Sequence, residues 1–403
     1  MLHKKNIFIN FLLIFTFLTA SFIKSEIYFQ EFLQKDICID LPEKYKDKED
    51  ISCLIADIKY DGNTVKILEL GNVISSTLSS HESIWGEDII WKRFYDYLEK
   101  LNCKLFCIGR PKEPEDATFI AFEKLHTFGA LRFDTIEQLA KQQIIFNNYQ
   151  GLLTFQDHSP TLKKYKSLEE KFPGFLVLNN IAHYFATNKF KTCLLFHNKE
   201  LSKFRPRWKI YPKKYSKSIV QKIKNDFESD VLVIKPINST LGRGVIIINK
   251  EDLDETLQTI FTKPEKIKYL RDESYSYWAE DSNIIFLVES CEKSKLLTIE
   301  NKKYEAKMRV AFVLSCKDGK INLKFLGSYW KAAYRPIDAI GTLTEKYKSK
   351  SGDSNKSIKV SCEDTKQVQE ILSHVLPKMY IQMMEIKENV DHRFPSLKKA
   401  LHF

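Results

Sequence analysis

Residues 231–249 read VLVIKPINSTLGRGVIIIN: two runs of valine, leucine and isoleucine flank a polar loop that contains glycine. Short β-branched runs separated by turn residues predict a β-hairpin. The first run closes on Lys235-Pro236, and the second starts at Val245, directly after Gly242-Arg243-Gly244. Lysine at the end of a buried strand holds its ammonium over the space beyond the strand. Gly242 and Gly244 offer backbone N–H groups that a phosphate can approach without meeting a side chain, and Arg243 adds a charge-assisted donor. Glycines at hairpin tips also serve turns and nothing else, so the neighbouring segments carry the argument further.

Downstream, residues 252–261 have helical spacing with Asp252 and Asp254 in the first turn. An apolar strand over 284–288 then ends in Glu289-Ser290-Cys291, where backbone groups and a carboxylate can meet a base and a hydroxyl or amino group. A further strand, 308–314, begins MRV, and its Arg309 is a bidentate donor suited to phosphate. The competing readings are a solvated strand end for Glu289 and a surface ion pair with Glu305 for Arg309. Upstream, VLNN at 177–180 precedes a helical stretch that carries Asn188 and Lys189. A basic and aromatic passage over 203–224 follows, then a helix over 219–227 leading into the hairpin.

Taken in order, VLNN, Asn188-Lys189, IKP, GRG, VES and MRV resemble the ATP-grasp family over residues 175–335 or so, in its glutathione synthetase and tubulin-tyrosine ligase style. The resemblance implies ATP and Mg²⁺ as cofactors. Lys189 and Lys235 would contact phosphates, with Lys199 replacing Lys189 if the helix register differs. Glu289 and Cys291 would line the adenine pocket, and Arg309 would serve catalysis at the phosphate and substrate. It further implies an ATP-dependent ligase in which a substrate carboxylate becomes an acyl-phosphate and an amine, or a similar nucleophile, attacks it. Two departures stand out. Lys307 occupies the place, two residues before the arginine, where family members carry an acid. After Arg335-Pro336 there is no acid-x-Asn motif, only a lysine- and serine-rich loop over 345–357 and a helix over 366–385. The metal ligands are therefore unassigned. A second reading is a degenerate, non-catalytic nucleotide-binding or interaction module; a third is polyanion or nucleic-acid binding through residues 203–224.

The whole chain is consistent with these expectations. Its 403 residues leave room for two or three domains, and 43% hydrophobic residues suffice for buried cores. A net charge of +11 favours anionic partners. The fold class expected is α/β, with α+β character in the C-terminal half. Residues 65–70, 85–101 and 105–109 read as strand, helix and strand, predicting a βαβ unit in an N-terminal domain over 26–173. Further strands are expected over 117–122 and 151–155, a helix starting at Asp134-Thr135, a boundary near 172–174, and an ATP-grasp-like domain with a hairpin lid over 174–403. Residues 1–25, basic and then apolar, predict a signal peptide or membrane anchor. The protein is then exported or membrane-attached, and cytoplasmic if the segment is not a signal. Of the eight cysteines, Cys53, Cys103, Cys107, Cys193 and Cys316 sit in apolar runs, Cys103 and Cys107 lack zinc-ligand spacing and no His/Cys cluster completes a metal site, so neither a structural metal nor an obligatory disulfide is expected.

Overall fold

The computed structural model describes residues 37–72, 81–86, 88–108, 123–141, 150–154, 175–186, 188–239, 242–270, 272–349 and 356–393. The expected leader over 1–25, the strand over 117–122 and the boundary near 172–174 lie outside the described residues. Among the described residues no helix is long and apolar enough to cross a membrane.

The described chain opens with β1 (Ile37–Asp40), β2 (Asp50–Tyr60) and β3 (Val65–Asn72). The helix Ile89–Lys100 leads to β4 (Lys104–Ile108), β5 (Leu131–Phe133), the helix Ile136–Lys141, β6 (Gln150–Thr154) and β7 (Phe175–Val177). Next come the helix Lys189–Leu194, β8 (Trp208–Pro212), the helix Lys217–Asp226, β9 (Val231–Pro236), β10 (Ile246–Asn249), the helices Leu253–Thr262 and Glu273–Glu280, and β11 (Ile285–Ser290). The small hairpin β12 (Leu297–Ile299) and β13 (Lys302–Tyr304) precedes β14 (Ala306–Lys317), β15 (Lys320–Ala332), β16 (Ser357–Lys359) and the long helix Cys362–Arg393.

These strands build three main sheets. The largest has the order β1-β15-β14-β2-β3, with β16 on β15, and every pairing is antiparallel. A parallel sheet has the order β5-β4-β6-β7, and an antiparallel lid sheet the order β10-β9-β11-β8. The expected hairpin at 231–249 is the β9–β10 pair, Ile234 opposite Ile246 and Val231 opposite Asn249.

One expectation needs correction. The segments 65–70, 85–101 and 105–109 do not form a βαβ unit, because β3 lies at the edge of the large antiparallel sheet while β4 lies in the parallel one. The intervening helix carries the chain between sheets: its Ile90, Trp91 and Phe94 pack with Ile51, Cys53 and Val313 of the large sheet. Parallel strands do form, but from β4 onward. In the large sheet, β1–β3 from before residue 173 and β14–β16 from after it pair together.

Alternation explains why the large sheet is buried on both faces. Along β2, Ile51, Cys53 and Ile55 join the core under the Ile89–Lys100 helix, whereas Leu54, Ala56 and Ile58 join the core under the C-terminal helix. That helix presents Val368, Leu372, Val375, Met379 and Met383 at helical spacing to the sheet. It also reaches Asp50, whose carboxylate accepts hydrogen bonds from the Tyr380 hydroxyl and, at 2.9 Å, from Ser52 Oγ.

Burial raises the Asp50 carboxyl above its ordinary value of 3.8, outweighing the lowering by the Tyr380 hydrogen bond and the Lys387 charge. The folded chain thus keeps a proton that the unfolded chain releases above 3.8, so this group subtracts stability as pH rises from 3.8 through its folded value. Asp50→Asn is expected to raise Tm by roughly 2–4 °C at pH 8 and by less at pH 5. Thermal melts across pH check this, and a lowered Tm at pH 8 would show that the ionised form is the native one.

Candidate functional site

One face of the lid sheet is covered by helices through residues such as Leu232, Ile234, Phe286 and Val288. Period two then sends Lys235 and Glu289 to the opposite face. Lys235 stands opposite Leu287, which places it diagonally from Glu289 on the neighbouring strand. The Lys235 ammonium donates to Glu289 Oε2, and Arg205 Nη2 donates to Glu289 Oε1. Glu289 is 1% exposed and Arg205 2%. Arg205 Nη1 also donates to the carbonyl oxygens of Leu68 at 2.7 Å and Ile67 at 3.1 Å, so one guanidinium ties the lid sheet to β3. Burial alone would raise the Glu289 carboxyl, but Arg205 and then Lys235 hold it below its ordinary range. Beside them, burial pushes the Cys193 thiol up to about 12, which keeps it a neutral packing group.

Lys189 lies near enough to this cluster for the Lys235 and Glu289 charges to act on it. Asn188 caps the helix Lys189–Leu194, its side chain accepting the Lys191 N–H at 3.0 Å. That cap turns Lys189 inward, where its ammonium donates to the Ser239 carbonyl and to Ser239 Oγ at 3.1 Å and stands 3.5 Å from Glu69 of β3. Burial lowers the Lys189 pKa, with Glu69 opposing. Lys199, the alternative to Lys189, starts a separate short helix and is exposed.

The large sheet contributes a second cluster. Register sets Arg309 of β14 directly opposite Asp57 of β2. Arg309 donates from Nε at 2.7 Å and from Nη2 at 3.0 Å, and Lys307 Nζ donates to the same carboxylate at 2.5 Å. Burial acts to raise the Asp57 carboxyl, yet Arg309 and Lys307 hold it well below the usual carboxylate range. The alternative pairing of Arg309 with Glu305 is corrected: Glu305 accepts from Lys59 at 2.7 Å and from Ser294 Oγ at 2.9 Å. The bidentate pair with Asp57 engages two of the five N–H groups of Arg309. The clusters face one another closely enough for the Glu69 charge to act on Lys189, Arg205 and Arg309.

The hairpin tip differs from its expected role in one respect. Gly242 and Gly244 both have φ of 72°, in the left-handed region. A Cβ on Gly244 would lie 2.6 Å from Pro236 Cγ and 2.8 Å from Tyr277 Cδ1, so glycine is required there sterically. However, the Gly244 N–H donates to the Glu273 carbonyl at 3.0 Å and its carbonyl accepts from Trp278 at 2.9 Å. Gly244 therefore anchors the tip through both of its backbone groups. Arg243 lies with its guanidinium 5.5 Å from the Tyr277 ring centre. Cys291 is half-buried, donates its N–H to the Val231 carbonyl at 3.1 Å, and has its thiol pushed by burial up to about 11. Glu289, expected beside an adenine, is a buried counter-ion, because its carboxylate lies between two cations.

The basic passage 203–224 is not a continuous cationic surface. Arg205 is buried, Lys209 meets Asp226, Lys213 meets Asp281 and Lys217 meets Asp254. Sequence reasoning misses Arg205, Glu69 and Asp57 as site residues. The one signal for them is a charge inside an apolar run, as Asp57 is in ISCLIADIKY.

Magnesium requires several oxygen ligands close to octahedral geometry. Asp57, Glu69, Glu289 and Glu305 each face a lysine or arginine instead, and among the described residues no group of three or more His, Cys, Asp or Glu side chains is placed to hold a metal ion. These residues do not fit Mg²⁺.

No family model and no curated protein matches the chain. Among solved structures it is similar to a protein assigned as a gamma-glutamylcysteine synthetase from Methylobacillus flagellatus KT, at 9% identity and a TM-score of 0.42, over 92% of this chain and 95% of that one. It is also similar to D-alanyl-alanine synthetase A from Vibrio cholerae O1 biovar eltor str. N16961, at 11% identity and a TM-score of 0.35, over 70% and 80%. D-cycloserine synthetase DcsG is a third, at 10% identity and a TM-score of 0.34, over 69% and 81%. Likenesses of this size carry no statement about what this chain binds or does.

Glu289→Gln leaves two cations buried with no anion, and is expected to cost about 3–5 kcal/mol of unfolding free energy at pH 7. The lowered folded value means that the wild-type contribution is present above 4.5 and lost as pH falls through that folded value. Urea unfolding from pH 7 downward should show the two proteins converging, and a constant gap would refute the assignment.

Proposed function

We propose that this chain binds a nucleotide, with ATP as the principal candidate, its phosphates lying in the cleft between the lid sheet and the large sheet. The observation that carries this reading is the charge arrangement. Two buried carboxylates, Glu289 and Asp57, each hold two cations, so each cluster keeps one unit of positive charge on largely buried side chains. In that setting an anionic ligand gains more than it would at a surface. Lys189 and Lys235 would meet phosphate oxygens from the lid side, and the uncommitted N–H groups of Arg309 would meet them from β14. The β9–β10 hairpin, held at its tip by Trp278 and Glu273, would cover them.

This is the behaviour of a non-catalytic nucleotide-binding or interaction module. An ATP-dependent carboxylate–amine ligase is the second reading, favoured by the convergence of Lys189, Lys235 and Arg309 on one cleft. Release of ADP and phosphate in the presence of mixed amino acids, peptides and polyamines would select it. In either case Lys235→Ala is expected to weaken ATP binding at least tenfold, about 1.4 kcal/mol, with the circular dichroism spectrum unchanged. Titration calorimetry checks this: unchanged affinity refutes the placement, and no ATP-induced rise in wild-type Tm refutes both readings.

A further inference from the structure

The carboxylates that would have to coordinate a metal here are already committed. Asp57 is shared by Lys307 at 2.5 Å and by Arg309 through two bonds, and it is 3% exposed, so a divalent ion could reach it only by displacing both cations. Glu289 is closed in the same way by Arg205 and Lys235. Glu305 is held by Lys59 and Ser294, which leaves Glu69, partly exposed and 3.5 Å from Lys189. One carboxylate does not make a magnesium site. The same geometry supplies what a metal would otherwise supply. Lys307 and Arg309 sit at alternate positions of β14 on one face and bring two positive charges to a single carboxylate. A divalent ion approaching either cluster meets like charge, while a bare polyphosphate meets opposite charge.

Resting on the nucleotide reading above, we propose that the cleft binds the phosphates of ATP without a divalent cation, Lys307 and Arg309 acting as the counter-charge. Lys307 is the distinguishing residue. Asp57 and Arg309 alone form a neutral pair, and the added ammonium turns that pair into a site for an anion.

The test is calorimetric titration of the full chain with ATP, once in excess EDTA and once in excess magnesium chloride. Binding in EDTA at least as tight as in magnesium is expected, since magnesium neutralises part of the phosphate charge that the protein cations meet. Binding that is tenfold or more tighter with magnesium overturns metal independence and leaves the nucleotide reading intact. No binding in either buffer overturns both. Lys307→Gln is expected to weaken metal-free binding about tenfold through loss of one charge-assisted contact, and Lys307→Arg to restore it. Unchanged affinity in Lys307→Gln, or equal loss in Lys307→Gln and Lys307→Arg with Tm preserved, would also overturn the proposal.

Discussion

Glu289 is the junction on which this architecture turns. Its carboxylate sits on a strand of the lid sheet and is reached by Lys235 from the neighbouring strand and by Arg205, whose other nitrogen holds two carbonyls of β3. A charge removed from water is tolerated only when paired and hydrogen-bonded, so this group of residues restricts how the lid sheet can sit on the large sheet. The position of the hairpin and the inward direction of Lys189 follow from that seating.

The Asp57 cluster repeats the logic on the large sheet. Both clusters place a carboxylate at a fully buried strand position and surround it with two cations delivered by neighbouring strands or the chain just before one. Neither carboxylate can act as an open ligand or general base in this arrangement. What the pairs leave is one unit of positive charge at each cluster. The hairpin loop takes a mechanical role. Gly244 is needed because Pro236 and Tyr277 leave no space for a Cβ, and its amide is committed to Glu273.

The large sheet gives the clusters their rigidity. Its β2 has apolar residues on both faces and is buried throughout, covered on one side by the Ile89–Lys100 helix and on the other by the helix Cys362–Arg393. Strands from both ends of the described chain complete that sheet, so Asp57 from the N-terminal region and Arg309 from the C-terminal region become cross-strand neighbours. A linear division of the chain into successive domains could not have anticipated this contact.

Local physics accounts for what could be read in advance. Residues 231–249 specified their own hairpin because β-branched runs and glycine act over a few residues. Helical spacing likewise located Leu253–Thr262 and the C-terminal helix, and Asn188-Lys189 marked a capped helix with a lysine at its start. Partners were not legible. Arg309 could be recognised as a donor, but its acceptor lies 252 residues away and is set by sheet register. Arg205 looked like one cation in a basic run until tertiary packing buried it against Glu289. Strand patterns state which residues share a face; which strands lie side by side depends on the closure of long loops and the burial of two separate cores. Those non-local terms convert carboxylates that resembled ligand donors into counter-ions.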